Sequence, residues 1–306
     1  MKRSLLFSGT SNPGLAKKIA RKLTTKCGKL VISRFPDNDI DCIFDDAIEG
    51  KHVFIIQSTN NPANEHLMEL FIIIDAAKRS KAKHITVIIP YYGYARQDRQ
   101  TKPREPISAA LVANLLKCAG ASSIITMDLH SRAVEKSLRL RKKHLHALPV
   151  IIEYLKKKKL KDVCVVAPDK GALKSARKQA RLLKAKVAYI EKTRITAHKV
   201  IAKQIVGDVQ GKNCVIIDDI ISTAGTICEA AKVLKKAGAK SIYVAATHGV
   251  FAGRALQKLS RAPIKKVIVT DTIPQEQNKK RLKKLKVLSV AKPFAEAIKE
   301  LAKARA

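Results

Sequence analysis

The segment Val215–Thr226 (VIIDDIISTAGT) contains the residue types with the clearest chemical potential in the chain. Its apolar start predicts a buried strand, after which come two carboxylates, Asp218 and Asp219, and then a turn into a predicted helix. The turn consists of small or hydroxyl-bearing residues, namely Ser222, Thr223, Ala224, Gly225 and Thr226. Unpaired N–H groups at the start of a helix favour an anion. We therefore predict a sugar-phosphate site, with phosphate on the turn and sugar hydroxyls on the carboxylates; the alternative is an ordinary strand and helix with an acidic cap.

Other candidate ligands follow predicted strands elsewhere in the chain. Arg96 and Gln97 follow one strand, His130 follows a second and Asp169 follows a third. A guanidinium group can grip phosphates in a bidentate manner. A carboxylate supplies the hard oxygen that Mg²⁺ prefers, whereas histidine is a poor direct ligand for this ion. The simpler alternatives are a surface arginine without a ligand and a hydrogen-bonded core histidine.

Short β-branched runs alternate with helical stretches along the chain and must position these groups. The runs that predict strands are 53–57, 85–89, 124–127, 163–167, 187–190, 215–217, 242–246 and 267–269. This alternation of strand and helix is typical of α/β proteins, in which helices cover both faces of a parallel sheet. Polar groups that end neighbouring parallel strands then meet at one edge of the sheet.

The length of 306 residues is near the limit for one hydrophobic core, which favours two domains of about 150 residues. We place the boundary near Leu145–Pro149, giving domains 1–146 and 147–306. The segment Leu116–Ile124 (LKCAGASSI) is echoed by Leu234–Ile242 (LKKAGAKSI), which suggests two similar domains. The predicted helices Gly225–Lys236 and Pro293–Ala304 are assigned to the second domain.

The charge of the chain is strongly positive, with 61 Lys and Arg against 25 Asp and Glu and a formal net charge of +36. Specific nucleic-acid binding usually needs aromatic residues among the basic ones. Only 4% of the residues are aromatic, and the basic runs Lys156–Lys159 and Lys279–Lys286 contain none. We therefore expect a solvated, lysine-rich surface and no specific nucleic-acid partner. Loose, salt-sensitive adhesion to nucleic acid is still expected.

Membrane insertion and export are not expected. Apolar stretches such as Leu70–Ala77 are far shorter than the roughly 20 residues that a membrane span needs. The segment before Ser8 has too few apolar residues for a signal peptide. The six cysteines form no C-x-x-C pair, which favours reduced, buried thiols over disulfides or a metal site. These features predict a cytoplasmic protein.

Two further segments carry a resemblance to a known family. Pro90–Arg99 (PYYGYARQDR), with Lys102–Ile107, and Met127–His130 (MDLH) resemble ribose-phosphate pyrophosphokinases, and the likeness extends over practically the whole chain. The turn after Asp219 is similar to the phosphoribosyl-binding loop of the type I phosphoribosyltransferase fold. The resemblance implies two similar, doubly wound parallel-sheet domains of that fold.

Such enzymes transfer the β,γ-diphosphoryl group of ATP to the 1-hydroxyl of ribose 5-phosphate with Mg²⁺, and they assemble as homodimers or homohexamers. The resemblance implies Lys192 as the main catalytic cation, with Arg194 gripping the substrates beside it. It assigns ATP binding to Phe35, Asp37, Asn38, Asp39, Arg96, Gln97 and His130, and magnesium to His130, Asp169 and Asp128. The segment 35–39 would reach the site of a neighbouring subunit, although its pattern alone is equally typical of an ordinary turn.

Three departures from the family pattern affect these expectations. Ala224 replaces the first glycine of the usual T-G-G-T, and alanine at a positive φ would cost about 1 kcal/mol or more. We expect an ordinary α or β backbone there, because T-A-G-T also occurs in orotate phosphoribosyltransferases. Asp39 stands where the family usually has glutamate, which predicts weaker ATP binding. The segment Ser131–Leu138 differs from the common bacterial form, so contacts of the helix after His130 are not carried over.

Three rival functions share some of these features. A phosphoribosyltransferase has the Asp218–Thr226 loop, but the chain length, Arg96 and His130 oppose it. A catalytically silent regulatory subunit has the same fold, but the intact Lys192 and Asp169 oppose this alternative. A nucleic-acid-binding protein is supported by charge alone. The sequence therefore favours the diphosphotransferase.

Overall fold

The computed structural model describes residues 4–193 and 202–304, apart from the side chains of residues 192, 193, 202 and 203. The strands are β1 Ser4–Ser8, β2 Leu30–Arg34, β3 Ile40–Phe44, β4 His52–Ile56, β5 His84–Ile89, β6 Ser123–Met127, β7 Arg141–Leu145, β8 Val163–Ala167, β9 Lys186–Thr193, β10 Ala202–Val206, β11 Asn213–Ile221, β12 Ser241–Gly249, β13 Lys266–Thr270 and β14 Leu285–Leu288. The α-helices are α1 Pro13–Lys22, α2 Ala63–Arg79, α3 Ser108–Ala119, α4 Arg132–Ser137, α5 Leu148–Lys157, α6 Leu173–Leu183, α7 Gly225–Lys236, α8 Ala255–Arg261, α9 Glu276–Arg281 and α10 Ala291–Lys303.

The first of two compact units comprises residues 4–146, 272–274 and 289–304. Its sheet has the strand order β1-β4-β5-β6-β7, all parallel, and β2 and β3 form a separate antiparallel pair. One core contains Phe7, Val53, Ile55, Val87 and Ile124 together with residues of α2 and α3. The intervening residues are buried as well, as β-branched strands in a parallel sheet covered on both faces require.

The second unit comprises residues 147–271 and 275–288. Its sheet has the order β10-β9-β8-β11-β12-β13-β14, in which only the β9–β10 pair is antiparallel among the described strands. Alternate residues of β11 point to opposite faces. Cys214 and Ile216 enter a core with α7 and α8, whereas Val215 and Ile217 pack with α5. Helices therefore cover both faces of this sheet, which confirms the predicted fold class.

The assignment of the last helix to the second domain is wrong. Helix α10 packs against α1 and β7, and it belongs to the first unit. Phe294 and Ile298 of α10 are fully buried, as are Leu15 and Ile19 of α1. The apolar face of α10 therefore completes the core of the first unit, although the chain reaches it only after building the second.

The two units have the same order of parallel strands. Taken in chain order, β1, β4, β5, β6 and β7 correspond to β8, β11, β12, β13 and β14, and an antiparallel pair follows the first strand in each. The predicted similarity of the domains therefore has a structural basis. However, the two similar segments do not occupy corresponding positions in the two units. The segment 116–124 leads into the fourth core strand of its unit, β6, whereas 234–242 leads into the third core strand, β12.

The expectation of buried thiols holds for only three of the six cysteines. All six are free; Cys164, Cys214 and Cys228 are buried, Cys27 and Cys42 are partly buried, and Cys118 is exposed. Burial raises the pKa of the Cys214 thiol to about 12, which makes this thiol unreactive at neutral pH. Of the helices that the structure describes, none is long and apolar enough to cross a membrane.

Candidate functional site

Three carboxylates lie close together at one edge of the second unit's sheet. Asp218 is near the end of β11, Asp219 follows it, and Asp169 comes just after the neighbouring strand β8. Although Asp218 reaches solvent, desolvation, a hydrogen bond with Asp219 and the charges of Asp219 and Asp169 raise its pKa to about 7. The structure therefore brings together these three predicted residues as a concentration of negative charge that a divalent cation would stabilise.

The predicted phosphate turn connects β11 to helix α7. Helix α7 begins at Gly225, with no side-chain cap among the described residues and no acidic residue in its first turn. Thr223 and Thr226 are exposed. The free N–H groups of this first turn and the adjacent hydroxyls form a surface suited to a phosphate group.

Ala224 has a left-handed backbone, with φ 58° and ψ 9°. The expectation of an ordinary α or β conformation is therefore wrong. Ala224 is 5% exposed and packs in the core with Ile227 and Phe251. Its backbone turns the chain from β11 into α7, and this left-handed conformation is strained because the Cβ atom of an L-residue lies too close to the neighbouring backbone. Gly225, by contrast, is not at a positive φ, and a Cβ atom added there would meet nothing within 4 Å.

The loop formed by residues 250–252 is hydrogen-bonded to the predicted phosphate turn. The N–H groups of Val250 and Phe251 donate to the carbonyl of Ile221, and Ala252 N–H donates to the carbonyl of Ser222, at 3.0–3.1 Å. Because these bonds fix the carbonyls on one side of the turn, its exposed side can present N–H and hydroxyl groups in a constant arrangement.

The proposed catalytic cations lie only partly within the described structure. Lys192 lies in β9, where its backbone is paired with Lys203 of β10. The strand is thus longer than the predicted run 187–190, and Lys192 is within it rather than after it. The side chain of Lys192 and the whole of Arg194 lie outside the described residues.

Arg96 and Gln97 lie on a fixed loop after β5 in the first unit, and both side chains are exposed. Buried Tyr92 donates from its hydroxyl to the carbonyl of Ala109 at 3.0 Å, while Ala109 N–H donates to the carbonyl of Gln97 at 3.2 Å. Gly93 approaches Thr59 so closely that a Cβ atom would lie 2.4 Å from its carbonyl oxygen. The loop therefore holds two polar side chains in solvent on a tightly packed base.

His130 is exposed on the next loop, after β6, and Asp98 links the two loops. The Asp98 side chain is 6% exposed and pairs with Arg99 at 3.0 Å. Hydrogen bonds from Arg99 and Ser131, with the nearby charges of Arg99 and His130, lower the pKa of Asp98 to about 2. Sequence reasoning missed Asp98, although its place directly after Arg96 and Gln97 could have indicated it.

Asp128, which the resemblance groups with magnesium, also follows β6. Its Oδ1 lies 2.8 Å from Nδ1 of His146, and its backbone φ is +39°. Asp128 N–H donates to the carbonyl of Leu145 on β7. The structure thus places Asp128 beside a histidine that the sequence analysis did not consider.

The segment 35–39 forms the turn of the β2–β3 pair. Phe35 N–H donates to the carbonyl of Asp39, and Asn38 N–H donates to that of Phe35, both at 2.9 Å. Asn38 has φ +72°, and the Phe35 side chain is 55% exposed. The turn therefore holds an aromatic ring in solvent at its tip, with Asp37 and Asp39 beside it.

Comparisons with known proteins give one consistent result. A model described as the N-terminal domain of ribose phosphate pyrophosphokinase matches residues 4–120, and one described as the phosphoribosyl synthetase-associated domain matches residues 175–305. The ribose-phosphate pyrophosphokinase of Fusobacterium nucleatum is 45% identical over 96% of this chain and 93% of its own length. That of Bacillus subtilis is 44% identical over 96% and 92%. The crystal structure of phosphoribosylpyrophosphate synthetase from Mycobacterium smegmatis has a TM-score of 0.91 and 39% identity, covering 99% of both chains.

Proposed function

The chain belongs to the ribose phosphate pyrophosphokinase family, and on that premise we propose how its residues perform the family's reaction. The substrates are ATP and ribose 5-phosphate, and the products are 5-phosphoribosyl 1-diphosphate and AMP. The observation that carries this proposal is the group of Asp218, Asp219 and Asp169 beside the uncapped start of α7.

Ribose 5-phosphate binds to the second unit. Its phosphate lies on the turn from Ser222 to Thr226 and accepts hydrogen bonds from backbone N–H groups and from the hydroxyls of Thr223 and Thr226. Its ring hydroxyls donate to Asp218 and Asp219. An ionised carboxylate forms stronger hydrogen bonds than a neutral acceptor, so deprotonation of Asp218 strengthens this binding.

ATP binds through residues of the first unit. Arg96 and Gln97 contact its phosphates, with His130 beside them, while Phe35 stacks on the adenine ring of a neighbouring subunit's ATP and Asp37, Asn38 and Asp39 contact the polar edge of that base. Asp98 acts as a positioning residue, because it bonds Ser131 next to His130 on the following loop.

In the reaction, the 1-hydroxyl oxygen of ribose 5-phosphate attacks the β-phosphorus of ATP. A new oxygen–phosphorus bond forms, the bond from the β-phosphorus to the oxygen bridging the α-phosphate breaks, and AMP leaves with that oxygen. The hydroxyl proton passes to solvent. Negative charge grows on the attacked phosphate and the leaving oxygen, and the cations Lys192 and Arg194 stabilise it.

The three carboxylates of the second unit would be the residues to hold a magnesium ion, since their oxygens are the ligands that Mg²⁺ prefers. The pKa of Asp218 is raised first by desolvation and then by Asp219 and Asp169, and a bound cation would oppose this shift. When bound, Mg²⁺ supplies positive charge to the pyrophosphate oxygens. His130 is suited to a contact through water or substrate rather than direct ligation.

The enzyme is proposed to act in the cytoplasm as a homodimer or homohexamer. The exposed Phe35 at the tip of the β2–β3 pair supports self-association, since an apolar ring held in solvent is suited to a neighbour's adenine site. Light scattering of the purified protein would measure the assembly. A monomer with full activity would contradict the shared adenine site.

AMP release from ATP, measured with and without ribose 5-phosphate at low salt with Mg²⁺, tests the function. The diphosphokinase produces AMP only when ribose 5-phosphate is present. A catalytically silent subunit would release none under either condition. A phosphoribosyltransferase would instead consume added 5-phosphoribosyl 1-diphosphate when a nucleobase or orotate is supplied.

A further inference from the structure

Helix α6 of the second unit presents only positively charged groups among its ionisable residues. Its sequence, LKSARKQARLL, contains no acidic residue. The exposed basic residues are Lys174, Arg177, Lys178 and Arg181, and exposed Lys184 follows at the C-cap. Because helix positions three and four apart are neighbours, these five residues form one continuous row, which we call the α6 stripe.

The opposite face of α6 is fixed to the sheet. Ala176 and Ala180 are buried in a core with residues of β8. Gln179 is buried as well, and its side-chain amide donates to the carbonyl of Ile217 on β11 at 3.2 Å. The rotation of α6 about its axis is therefore set by packing, and the α6 stripe is held toward solvent.

The cations of the α6 stripe have no carboxylate partner among the residues that the structure describes. Three other helices pair exposed cations with carboxylates one turn away, namely Arg79 with Asp75 in α2, Lys157 with Glu153 in α5 and Lys232 with Glu229 in α7. Helix α1 also lacks acidic residues, but its exposed cations lie only within residues 17–22. The α6 stripe is thus a longer row of uncompensated charge.

A second basic segment adjoins the C-terminal end of α6. Helix α5 leads into β8 and α6 leads into β9, and these two strands are parallel neighbours. The loops that precede them therefore lie at the same edge of the sheet. Lys159 and Lys161 of the first loop are exposed, as is Lys184 before β9, whereas Asp162 is the one acidic residue of that first loop. The loop thus extends the positive surface beyond the helix.

We propose that the α6 stripe and the adjoining loop bind the phosphate backbone of a nucleic-acid strand, whatever its base sequence. The five cations of the stripe extend over about 15 Å, since a helix rises about 1.5 Å per residue. A nucleic-acid strand carries one negative charge about every 3.4 Å, so the two charge spacings match. The stripe contains no aromatic residue on which bases could stack, which leaves charge as the source of affinity. This surface does not depend on the proposed function, and it gives a location to the adhesion expected from the net charge.

Fluorescence anisotropy of a labelled single-stranded RNA, measured with the full chain between about 50 and 200 mM salt, tests the surface. For a single strand, each phosphate contact contributes about −0.7 to the slope of log K against log salt concentration. The double variant with Lys178→Gln and Arg181→Gln removes two cations, so the slope should become shallower by about 1.4 and the affinity at low salt should fall at least about tenfold. Both side chains are exposed, so this variant should fold normally, as circular dichroism would show.

The double variant with Lys292→Gln and Lys299→Gln is the matched control. It removes the same charge from exposed positions of α10 in the first unit, and it should keep the wild-type slope. Inorganic polyphosphate should displace the RNA from wild type and control, because the surface recognises phosphate charge. Equal losses in the two double variants would show that the adhesion is spread over the whole protein and would overturn the proposal. Absence of RNA binding by wild type, or of competition by polyphosphate, would overturn it too.

Discussion

Replacing Ala224 by glycine should stabilise the protein, although it removes a buried methyl group. Ala224 has φ 58° and immediately precedes α7, in the turn that follows β11. An L-residue in this left-handed region costs roughly 1–2 kcal/mol relative to its ordinary conformations, whereas glycine adopts the region freely. The strain is present in the free protein, so its relief should appear in the free energy of unfolding.

The lost methyl group opposes this gain. Ala224 is 5% exposed within the core around α7, and removing one buried methyl group costs about 0.8 kcal/mol. The net effect of Ala224→Gly is therefore a stabilisation of up to about 1 kcal/mol, equivalent to a rise of up to about 4 °C in melting temperature. Because the turn keeps its shape, the KM for ribose 5-phosphate should stay within about threefold.

A matched deletion separates strain from packing. Ala231 is fully buried in the same core and lies in the middle of α7. Ala231→Gly loses the same methyl group and also helix propensity, so it should destabilise the protein by about 1.5–2 kcal/mol. Chemical denaturation with circular dichroism measures both variants. If Ala224→Gly loses as much stability as Ala231→Gly, the reasoning from backbone strain is refuted.

Three further substitutions test the proposed site. Lys192→Ala should lower kcat by about 10²- to 10³-fold with little change in KM, because its charge acts mainly in the transition state; steady-state kinetics showing the reverse would make it a binding residue. Gly225→Ala should keep or slightly raise stability but weaken ribose 5-phosphate binding in calorimetry, since its Cβ atom would occupy space that only phosphate needs; unchanged affinity would move the phosphate elsewhere. The pKa of Asp218 is raised from 3.8 to about 7 in the folded protein, which means that folding disfavours the ionised carboxylate. The free energy of unfolding should therefore fall as the pH rises from about 4 to about 7. The affinity for ribose 5-phosphate should instead rise through about pH 7, as the carboxylate ionises. Asp218→Asn should remove this part of both pH dependences and weaken binding by about 1.5–3 kcal/mol; wild-type affinity in the variant would exclude the contact.

The strands that position the carboxylates could be predicted because their signals are local. Val163–Ala167 is a strand as predicted, and Gly225–Lys236 is a helix with the predicted bounds. Carboxyl ends of adjacent parallel strands share an edge. The sequence therefore predicts that Asp169 lies near Asp218.

The errors concern features that tertiary packing decides. Nothing in the segment 291–303 indicates which unit it completes, because its apolar face fits any core of suitable shape. The left-handed backbone of Ala224 lies in a turn that residues 250–252 hold by hydrogen bonds to Ile221 and Ser222, and such contacts between distant residues are not visible in the local sequence. Asp98 escaped notice because its role is a hydrogen bond to another loop, at Ser131.

Because the two units share a strand order, the residues of β4 in the first unit correspond to those of β11 in the second. In the first unit, the position that corresponds to Asp218 is at the end of β4, where Gln57 is fully buried. Its amide donates to Glu69 at 2.7 Å and accepts from Ser11 N–H at 3.1 Å.

The next two residues of the first unit are also committed to internal bonds. Ser58 donates to the carbonyl of Thr272 at 2.6 Å, and the hydroxyl of Thr59 accepts from Gly93 N–H at 2.6 Å. A polar group that is satisfied inside the protein gains nothing by exchanging its partner for a ligand. We therefore propose that the first unit presents its ligand-binding groups from later strands, on the loops of Arg96 and His130. The end of its second core strand, β4, serves stability, whereas the end of β11 in the second unit is proposed to bind ligand.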